Sequence, residues 1–265
     1  MNTTFEKSSF KKRLTSMLAV DFRRMFTTPL YYIMVGVSLV IPVLILVMTT
    51  MMGGSGDPQT SAGTAMEGFK NVWQIIGTAS GESSAMSMDL TSMCNINMMF
   101  FLIAIFVCIF VADDFRSGYS KNLFTVRAKK TDYVISKTIV GFVAGVSMLI
   151  AFFLGAMIGG AIAGLPFAVE GVNAYNIIMS IFSKLFLVSI FVAVYLLASV
   201  VAKQRLWLSL LLSFGIGMLF FTMIPMITPL NSTIINFVLC LVGGAGFSTG
   251  IGVGSYYILK KTSLI

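Results

Sequence analysis

Histidine is absent from this chain of 265 residues, and charged residues make up only 11% of it. Without histidine the chain lacks the commonest metal ligand and the commonest general base. It also lacks any Gly-Lys dipeptide, so it contains no phosphate-binding P-loop. The three cysteines lie in or beside apolar runs, which argues against a disulfide framework. The sequence therefore predicts no catalytic, metal-binding or cofactor-binding site on the chain itself.

Apolar residues are abundant instead. Hydrophobic residues make up 57% of the chain and its mean hydropathy is +0.93, which excludes a soluble globular protein. Several apolar runs approach or exceed the roughly 20 residues that a helix needs to cross a bilayer, and they are continuous rather than alternating as barrel strands are. We expect an all-α membrane protein with six transmembrane helices. Their approximate bounds are Leu30–Met51, Cys94–Ala112, Lys137–Ala163, Leu185–Ala202, Leu206–Thr228 and Thr233–Leu259.

Basic residues are distributed unequally between the predicted loops. Of the 18 Lys and Arg residues, all but Lys70 and Lys184 fall in the amino-terminal arm, the connections after the second and fourth spans, or the carboxyl-terminal tail. Because cytoplasmic loops are enriched in Lys and Arg, both termini are predicted to lie in the cytoplasm, with the chain crossing the cell inner (plasma) membrane. The same bias accounts for the net charge of +8 without any binding of nucleic acid.

This topology divides the chain into two predicted regions. Residues 1–29 form a cytoplasmic amphipathic elbow helix, and residues 30–265 form the six-span domain, with an extracellular loop at 52–93 and a cytoplasmic loop at 113–136. The apolar stripe of the elbow is Phe10, Leu14, Met17 or Leu18, Phe22 and Met25 or Phe26. Basic residues, including Arg13, Arg23 and Arg24, fall mostly off that stripe and suit anionic lipid headgroups. A simple anchor and an elbow that transmits a partner's motion both fit this pattern.

The predicted cytoplasmic loop mixes charged, aromatic and aliphatic residues over positions 113–124. Asp114 and Ser117 are candidate amino-terminal caps of a short helix. The apolar side chains of that helix have no core to enter in so short a loop, and they suit the groove of a partner protein. They are Tyr119, Leu123 and Phe124. The alternative is an ordinary basic loop that obeys the positive-inside rule.

The same loop resembles one in the permease subunits of the ABC-2 type of ATP-binding cassette transporters. Those proteins have six spans and a cytoplasmic amino-terminal helix. After their second span come an acidic residue, a Gly-polar-x-Lys-x-Leu stretch, a basic residue and a Lys that opens the third span. The corresponding positions here are Asp114, Gly118, Tyr119, Lys121, Leu123, the cluster Arg127–Lys130 and Lys137. The architecture extends over the whole chain, whereas the motif covers only residues 114–137.

The resemblance implies that the loop helix is a coupling helix, which rests in a cleft of a separate nucleotide-binding subunit. That subunit carries ATP and Mg, and a second permease copy, identical or a sister chain, completes the transporter. The residues implied for docking are Asp114, Ser117, Gly118, Tyr119, Lys121, Leu123, Phe124 and Arg127.

The predicted outer face offers a second candidate site. Met66, Phe69, Trp73 and Ile76 fall on one helical face, which is typical of a helix lying in the headgroup layer. This segment is either an outer gate or a connector that rests on lipid. Prolines interrupt the end of the fifth span, where the resemblance implies a re-entrant hairpin and a plain kink is the alternative. The candidate gate residues are Phe69, Trp73, Pro225 and Pro229.

Two further features concern the spans themselves. Lys184 is predicted to extend to the headgroups from the outer end of the fourth span, with contact to substrate as the alternative. Glycines recur in fours, which predicts close packing of helices within the chain, with a dimer motif as the alternative. The glycine sets are Gly141 and Gly145, Gly155 and Gly159, Gly160 and Gly164, and Gly246, Gly250 and Gly254.

These patterns favour a transport function. The centres of the predicted spans lack ionisable groups, which argues against an ion-coupled carrier. The 19 Met and 23 Phe residues provide an adaptable surface for hydrophobic or amphipathic cargo. The leading hypothesis is the permease subunit of an ATP-driven exporter that moves a peptide, a lipid-like molecule or a drug. The alternatives are a non-transporting membrane partner in peptide sensing or immunity, and an ATP-independent channel or carrier.

Overall fold

The protein folds as a bundle of α-helices. The structure is a computed structural model that describes residues 9–53, 69, 71–77, 95–126, 129–169, 171–221 and 224–261. Helices α1 to α9 of this part of the chain are Phe10–Thr27, Pro29–Gly53, Met98–Arg116, Tyr119–Val126, Lys130–Ala163, Ala174–Ala202, Leu206–Phe221, Ile224–Ile227 and Ile234–Lys261. A 3-10 helix, Val72–Ile75, precedes α3, and no strand occurs among the described residues. The prediction of an all-α protein is therefore confirmed.

Five helices are long and apolar enough to cross a membrane, namely α2, α3, α5, α6 and α9. Helix α7 is equally apolar but has 16 residues. At 1.5 Å per residue it spans about 24 Å, which is less than the ~30 Å of a hydrocarbon core. The four-residue helix α8 follows it. The structure thus supports five of the predicted spans by length, and the sixth depends on α7 and α8 together.

Hydrogen bonds between distant residues group the helix ends. At one end, the Arg116 Nε donates to the Gln204 carbonyl over 3.2 Å, which joins α3 to the start of α7. The Lys130 Nζ donates to the Leu259 carbonyl over 2.6 Å, which joins the start of α5 to the end of α9. We call this end of the bundle the basic end. It carries the end of α3, the start of α5 and the ends of α6 and α9, and these termini are rich in Lys and Arg.

The opposite end, here called the far end, is joined in the same manner. The Trp73 Nε1 donates to the Phe167 carbonyl over 2.8 Å, which fixes the 3-10 helix to the segment after α5. Asn176, near the start of α6, is hydrogen-bonded to Asn231, which precedes α9. Helices α2, α3, α5 and α6 therefore alternate in direction along the chain. Helix α7 begins at the basic end, and α9 ends there as α6 does.

Two glycine pairs allow helices to pack closely inside the bundle. A Cβ atom on Gly155 would overlap the Leu39 carbonyl of α2, and one on Gly145 would lie 2.5 Å from Val188 Cγ1 of α6. Gly159 and Gly141 meet the same two helices one turn away. Only glycine fits at such approaches, so the prediction of packing within the chain is confirmed for these four residues.

Helix α9 differs, because its glycine row has no neighbour. A Cβ atom on Gly246, Gly250 or Gly254 would meet nothing within 4 Å. In the most apolar 18-residue stretch of α9 only 11% of the residues are buried, compared with 56% in α5 and 67% in α6. The helix packs against α6 and α5 on one side, and its glycine row faces away from the rest of the described chain.

Two predicted span boundaries are wrong. Helix α5 begins at Lys130 rather than at Lys137, and α6 begins at Ala174 rather than at Leu185. Both helices extend through residues that are too polar for an apolar run. These residues are tolerated because the protein supplies partners for them: Asp132 and Lys137 form ion pairs, and Asn176 is hydrogen-bonded.

Candidate functional site

Three helices meet in an ion pair network at the basic end. Asp21 comes from α1, Asp114 from α3 and Lys137 from α5. The Lys137 Nζ lies 2.9 Å from Asp21 Oδ1 and 2.7 Å from Asp114 Oδ2. All three side chains are completely buried. Isolated charges are too costly to bury, so the burial of these side chains depends on the pairing of the ammonium with the two carboxylates.

Arg24 of α1 supplies the second cation of the network. Its guanidinium lies 2.6 Å from Asp114 Oδ1 and 4.0 Å from Asp21 Oδ1, and its side chain is 29% exposed. Two carboxylates therefore face two cations, and the network carries no net charge. Its neutrality explains how it is accommodated within the helix contacts.

Hydroxyl groups complete the partners of both carboxylates. The Tyr133 hydroxyl donates to Asp114 Oδ2 over 2.9 Å, and the Ser136 hydroxyl donates to Asp21 Oδ2 over 2.6 Å. Each of the four carboxylate oxygens thus has at least one donor, which is what a buried ionic network requires. We call the six side chains the ion cluster: Asp21, Arg24, Asp114, Tyr133, Ser136 and Lys137.

Helix α4 contacts the ion cluster at both of its ends. The Arg24 guanidinium lies 4.4 Å from the ring centroid of Tyr119, a cation–π contact. The Phe124 and Tyr133 rings meet edge to face at 5.5 Å. The short helix is therefore fixed to α1 and α5 through aromatic side chains, although it lies outside the long helices.

The two groups that join α4 to the ion cluster, the Arg24 guanidinium and the Tyr119 hydroxyl, have shifted pKa values. Burial alone lowers the pKa of Arg24, but the Asp114 carboxylate, with a contribution from Asp21, outweighs it and the pKa is raised. Burial raises the pKa of Tyr119, and the two carboxylates raise it further. Arg24 therefore stays charged and Tyr119 stays neutral at physiological pH, which preserves the contact between them.

A second ion pair fixes the amino-terminal part of α1. The Arg13 Nε lies 2.9 Å from Asp132 Oδ2, and Asp132 is almost completely buried at the start of α5. Together with the ion cluster, this pair holds α1 against α5 at two points separated by two to three turns. The elbow is thus attached by charge to the bundle as well as by its apolar face.

The predicted docking residues separate into two groups. Asp114, Tyr119 and Phe124 point towards the ion cluster, whereas Lys121 is exposed and Leu123 is half-buried. The expectation that the aromatic residues find no core is therefore wrong, because α1 and α5 provide one. Arg127 lies outside the described residues.

The predicted amino-terminal caps of α4 are also wrong. The Asp114 carboxylate is engaged in the ion cluster, and the Ser117 hydroxyl donates backwards to the Asp113 carbonyl over 2.7 Å. Both residues belong to the end of α3 rather than to the start of α4. Gly118 has a φ of +72° between the two helices, a conformation that favours glycine and allows the chain to turn.

In the elbow, two of the three arginines named for headgroup binding form ion pairs within the protein, and the headgroup-binding role stays a prediction. Arg13 and Arg24 bind Asp132 and Asp114 of the protein itself, whereas Arg23 is exposed. Phe10, at the start of the apolar stripe, is 50% exposed, and Leu14 is half-buried. The apolar face that is buried runs through Met17 and Met25.

At the far end, the structure brings part of the predicted gate together. Phe69 is buried, and Trp73 is held by the Phe167 carbonyl. Gly77, which follows the 3-10 helix, lies close to the backbone of Thr228 and Leu230, on either side of Pro229. Pro225 lies in α8. The residues that follow α8 thus lie beside the end of the Trp73 segment, and the re-entrant hairpin stays a prediction.

The interpretation of Lys184 as a residue that extends to the headgroups is wrong. Its side chain is buried, with 1% exposure, and its Nζ donates to the Thr228 carbonyl and hydroxyl at 2.8 and 2.7 Å. Within the described ranges, no carboxylate pairs with it. The ammonium therefore satisfies its hydrogen bonds with neutral oxygens at the contact between α6 and the segment after α8.

Sequence reasoning missed Asp21 and Asp132 as site residues. A signal for Asp21 was present, because it lies four residues after Met17 and four before Met25, on the buried face of α1. An acidic residue within an apolar stripe indicates a buried partner. Asp132 carried no such signal, because its partner Arg13 is far away in the sequence.

The helices define the class of this protein: it is a helical, multi-pass membrane protein. A scan against protein-family models, a search of curated proteins and a search of solved structures each gave no match. In the part of the chain that the structure describes, no group of three or more Cys, Asp or Glu side chains is placed to hold a metal ion.

Proposed function

We propose that this chain is the membrane-spanning subunit of an ATP-driven transporter of the ABC-2 type, powered by a separate nucleotide-binding subunit. The single observation that carries the proposal is the attachment of α4 to the ion cluster. A short helix at the basic end carries an exposed lysine and is joined by Tyr119 and Phe124 to residues of α1 and α5. Such a helix can pass a push from a partner to the long helices.

The proposal includes an orientation. Arg24, Arg116, Lys130 and Lys260 lie at the basic end, whereas Lys184 at the far end is buried among neutral oxygens rather than exposed. By the positive-inside rule, we place the basic end and both termini in the cytoplasm. In this proposal α7 and α8 together make the sixth crossing, and α4 faces the cytoplasmic ATPase.

The proposed mechanism uses rigidity rather than chemistry on this chain. ATP and Mg bound by two ATPase subunits close them, and the closure moves α4. Buried ion pairs hold α1, α3 and α5 in fixed relation, because separating them leaves uncompensated charges. The long helices therefore move with α4, and the path for cargo opens where two permease copies meet. Hydrophobic or amphipathic cargo suits the many Met and Phe side chains.

The uncovered face of α9 supports a second permease copy. Gly246, Gly250 and Gly254 form a row that no described residue covers. In a membrane, such rows allow helices of two chains to approach closely, and the contact gains van der Waals packing. We place the contact with the second copy, identical or a sister chain, on this face.

The docking assignment is tested on α4 at Lys121, which is exposed, and at Leu123, which is half-buried against the core. The variant Lys121→Glu with Leu123→Asp should abolish the stimulation of ATP turnover in a copurified ATPase, because it reverses a charge and removes an apolar contact. The matched control is Lys203→Glu, an exposed lysine at the same end on another connection. It should leave the stimulation intact.

Two results would contradict the proposal. If ATP turnover remains stimulated in the double variant while the protein inserts normally, α4 is not the docking helix. If proteoliposomes move solute without any ATPase, the chain is a channel or carrier. Stimulated ATP turnover without movement of cargo across vesicles would instead support the non-transporting role in sensing or immunity.

A further inference from the structure

An open cleft of about 570 Å³ lies at the basic end, beside the ion cluster and separate from it. Its walls come from α4, from the start of α5 and from the end of α9. The lining residues are Phe124, Lys129, Lys130, Thr131, Tyr256 and Lys260. Among the described residues that line it there is no acidic side chain, so the three lysines give the cleft a positive potential.

Other features of the cleft suit a phosphate group. The amino terminus of the long helix α5 forms one wall, and a helix amino terminus favours negative charge. No side chain caps that terminus, and Asp132 in its first turn is paired with Arg13 instead. Lys130 satisfies the carbonyl of Leu259 at the end of α9, which offsets the negative end of that helix.

The surroundings of the cleft distinguish a lipid from a soluble ligand. Thr131 lines the cleft, and Ile135 and Ile139 continue the same face of α5 one and two turns deeper; they are 37% and 36% exposed. On α9, Val253 lies one turn deeper than Tyr256 and is 53% exposed. An apolar surface thus leads from the lysines along two helices that cross the membrane, where acyl chains lie.

We propose that this cleft binds the phosphate headgroup of an anionic phospholipid, whose acyl chains lie along α5 and α9. Lys129 and Lys260, both exposed, bind the phosphate, and Phe124 and Tyr256 cover the glycerol region. Because Phe124 belongs to α4, the lipid contacts the same helix that is joined to the ion cluster. The inference depends on the membrane class of the protein and not on any ATPase partner.

The test measures lipid binding to the purified full chain in a non-ionic detergent by native mass spectrometry. Phosphatidylglycerol should be retained and phosphatidylcholine of the same acyl chains should not. The variant Lys129→Gln with Lys260→Gln should weaken phosphatidylglycerol binding by about 30-fold, since each basic residue near an anionic lipid contributes a factor of about five. Both lysines are exposed, so the variant should keep the same midpoint of thermal unfolding as the parent chain.

The matched control is Lys11→Gln with Lys12→Gln, which removes two exposed lysines from α1 and leaves the cleft intact. It should change phosphatidylglycerol binding by less than about threefold, since it removes only diffuse attraction. Equal losses in the two variants would overturn the proposal, and so would equal retention of phosphatidylcholine. Complete displacement of the lipid by millimolar inorganic phosphate would assign the cleft to a soluble phosphate compound. Unchanged binding in the Lys129 and Lys260 variant would also overturn the proposal, and it would indicate that these lysines bind an acidic partner surface instead.

Discussion

The two ends of this bundle bury positive charge in different ways. At the basic end, Lys137 contacts two carboxylates and is one of two cations in a neutral network. At the far end, the hydrogen-bond partners of Lys184 among the described residues are the carbonyl and hydroxyl of Thr228. Both lysine side chains are almost completely buried in helices that are long enough to cross a membrane. The lysines therefore share burial and differ in the charge of their partners.

This difference decides what each lysine does for the protein. Removing a cation from a balanced network leaves carboxylates buried without compensation, which is among the costliest changes available to a protein. Removing an isolated ammonium leaves only neutral oxygens, and it also removes the cost of burying the charge itself. The basic end is therefore held rigid by its charges, whereas the far end carries a charge that it does not need for stability.

The largest effect is expected for Lys137→Met. The substitution retains the volume of the side chain, but among the described residues it leaves Arg24 as the one cation paired with Asp21 and Asp114. We expect the free energy of unfolding to fall by about 3–5 kcal/mol, as measured by titration with a denaturing detergent.

A double variant separates charge from packing at this position. Asp21→Asn combined with Lys137→Met restores the charge balance, so the loss should be smaller than the sum of the two single losses. Simple addition of the two losses would contradict the network, because it would mean that the side chains contribute independently.

An intermediate effect is expected for Tyr133→Phe. The hydroxyl donates to Asp114 Oδ2, which also accepts from Lys137, so the carboxylate keeps a cationic partner when the hydroxyl is removed. The ring contact with Phe124 is preserved. We expect a loss of about 1.5–3 kcal/mol, the range for hydrogen bonds to charged groups, in the same titration. Tyr31→Phe is a suitable control, since the partner of its hydroxyl among the described residues is a neutral serine; its loss should be nearer 1 kcal/mol. Equal losses in the two variants would contradict the ionic character of the cluster.

Much of the fold could be predicted from the sequence, because a bilayer imposes a length and a composition on each crossing helix. The apolar runs predicted α2 and α9 to within two residues at each end, and they predicted the start of α7, whereas α3 begins and ends four residues later than predicted. The starts of α5 and α6 could not be found in this way, since Asp132, Lys137 and Asn176 interrupt the apolar pattern. Those residues remain helical because distant residues neutralise or hydrogen-bond them. Tertiary contacts, and not local composition, decide where these two helices begin.

The candidate site was predicted only in part. The sequence indicated a short helix after the second span and an elbow before the first, and both exist as α4 and α1. It did not indicate that Arg24, Asp114 and Tyr119 meet, because their separation along the chain hides the contact. A pattern of charges along the chain shows which end is basic, whereas the pairing of individual charges depends on how α1 packs against α5.

The smallest effect is expected at the far end, for Lys184→Met. Thr228 keeps the hydrogen bond from its hydroxyl to the Ile224 carbonyl, and no described carboxylate loses a partner. We expect the free energy of unfolding to change by less than about 1 kcal/mol, or to rise, since a methionine needs no compensation in an apolar environment. The same substitution at Lys137 should cost several times more, so the pair of variants compares the two ends directly. A loss at Lys184 as large as that at Lys137 would show that a carboxylate pairs with this ammonium after all, and the two ends would then bury their charges by the same rule.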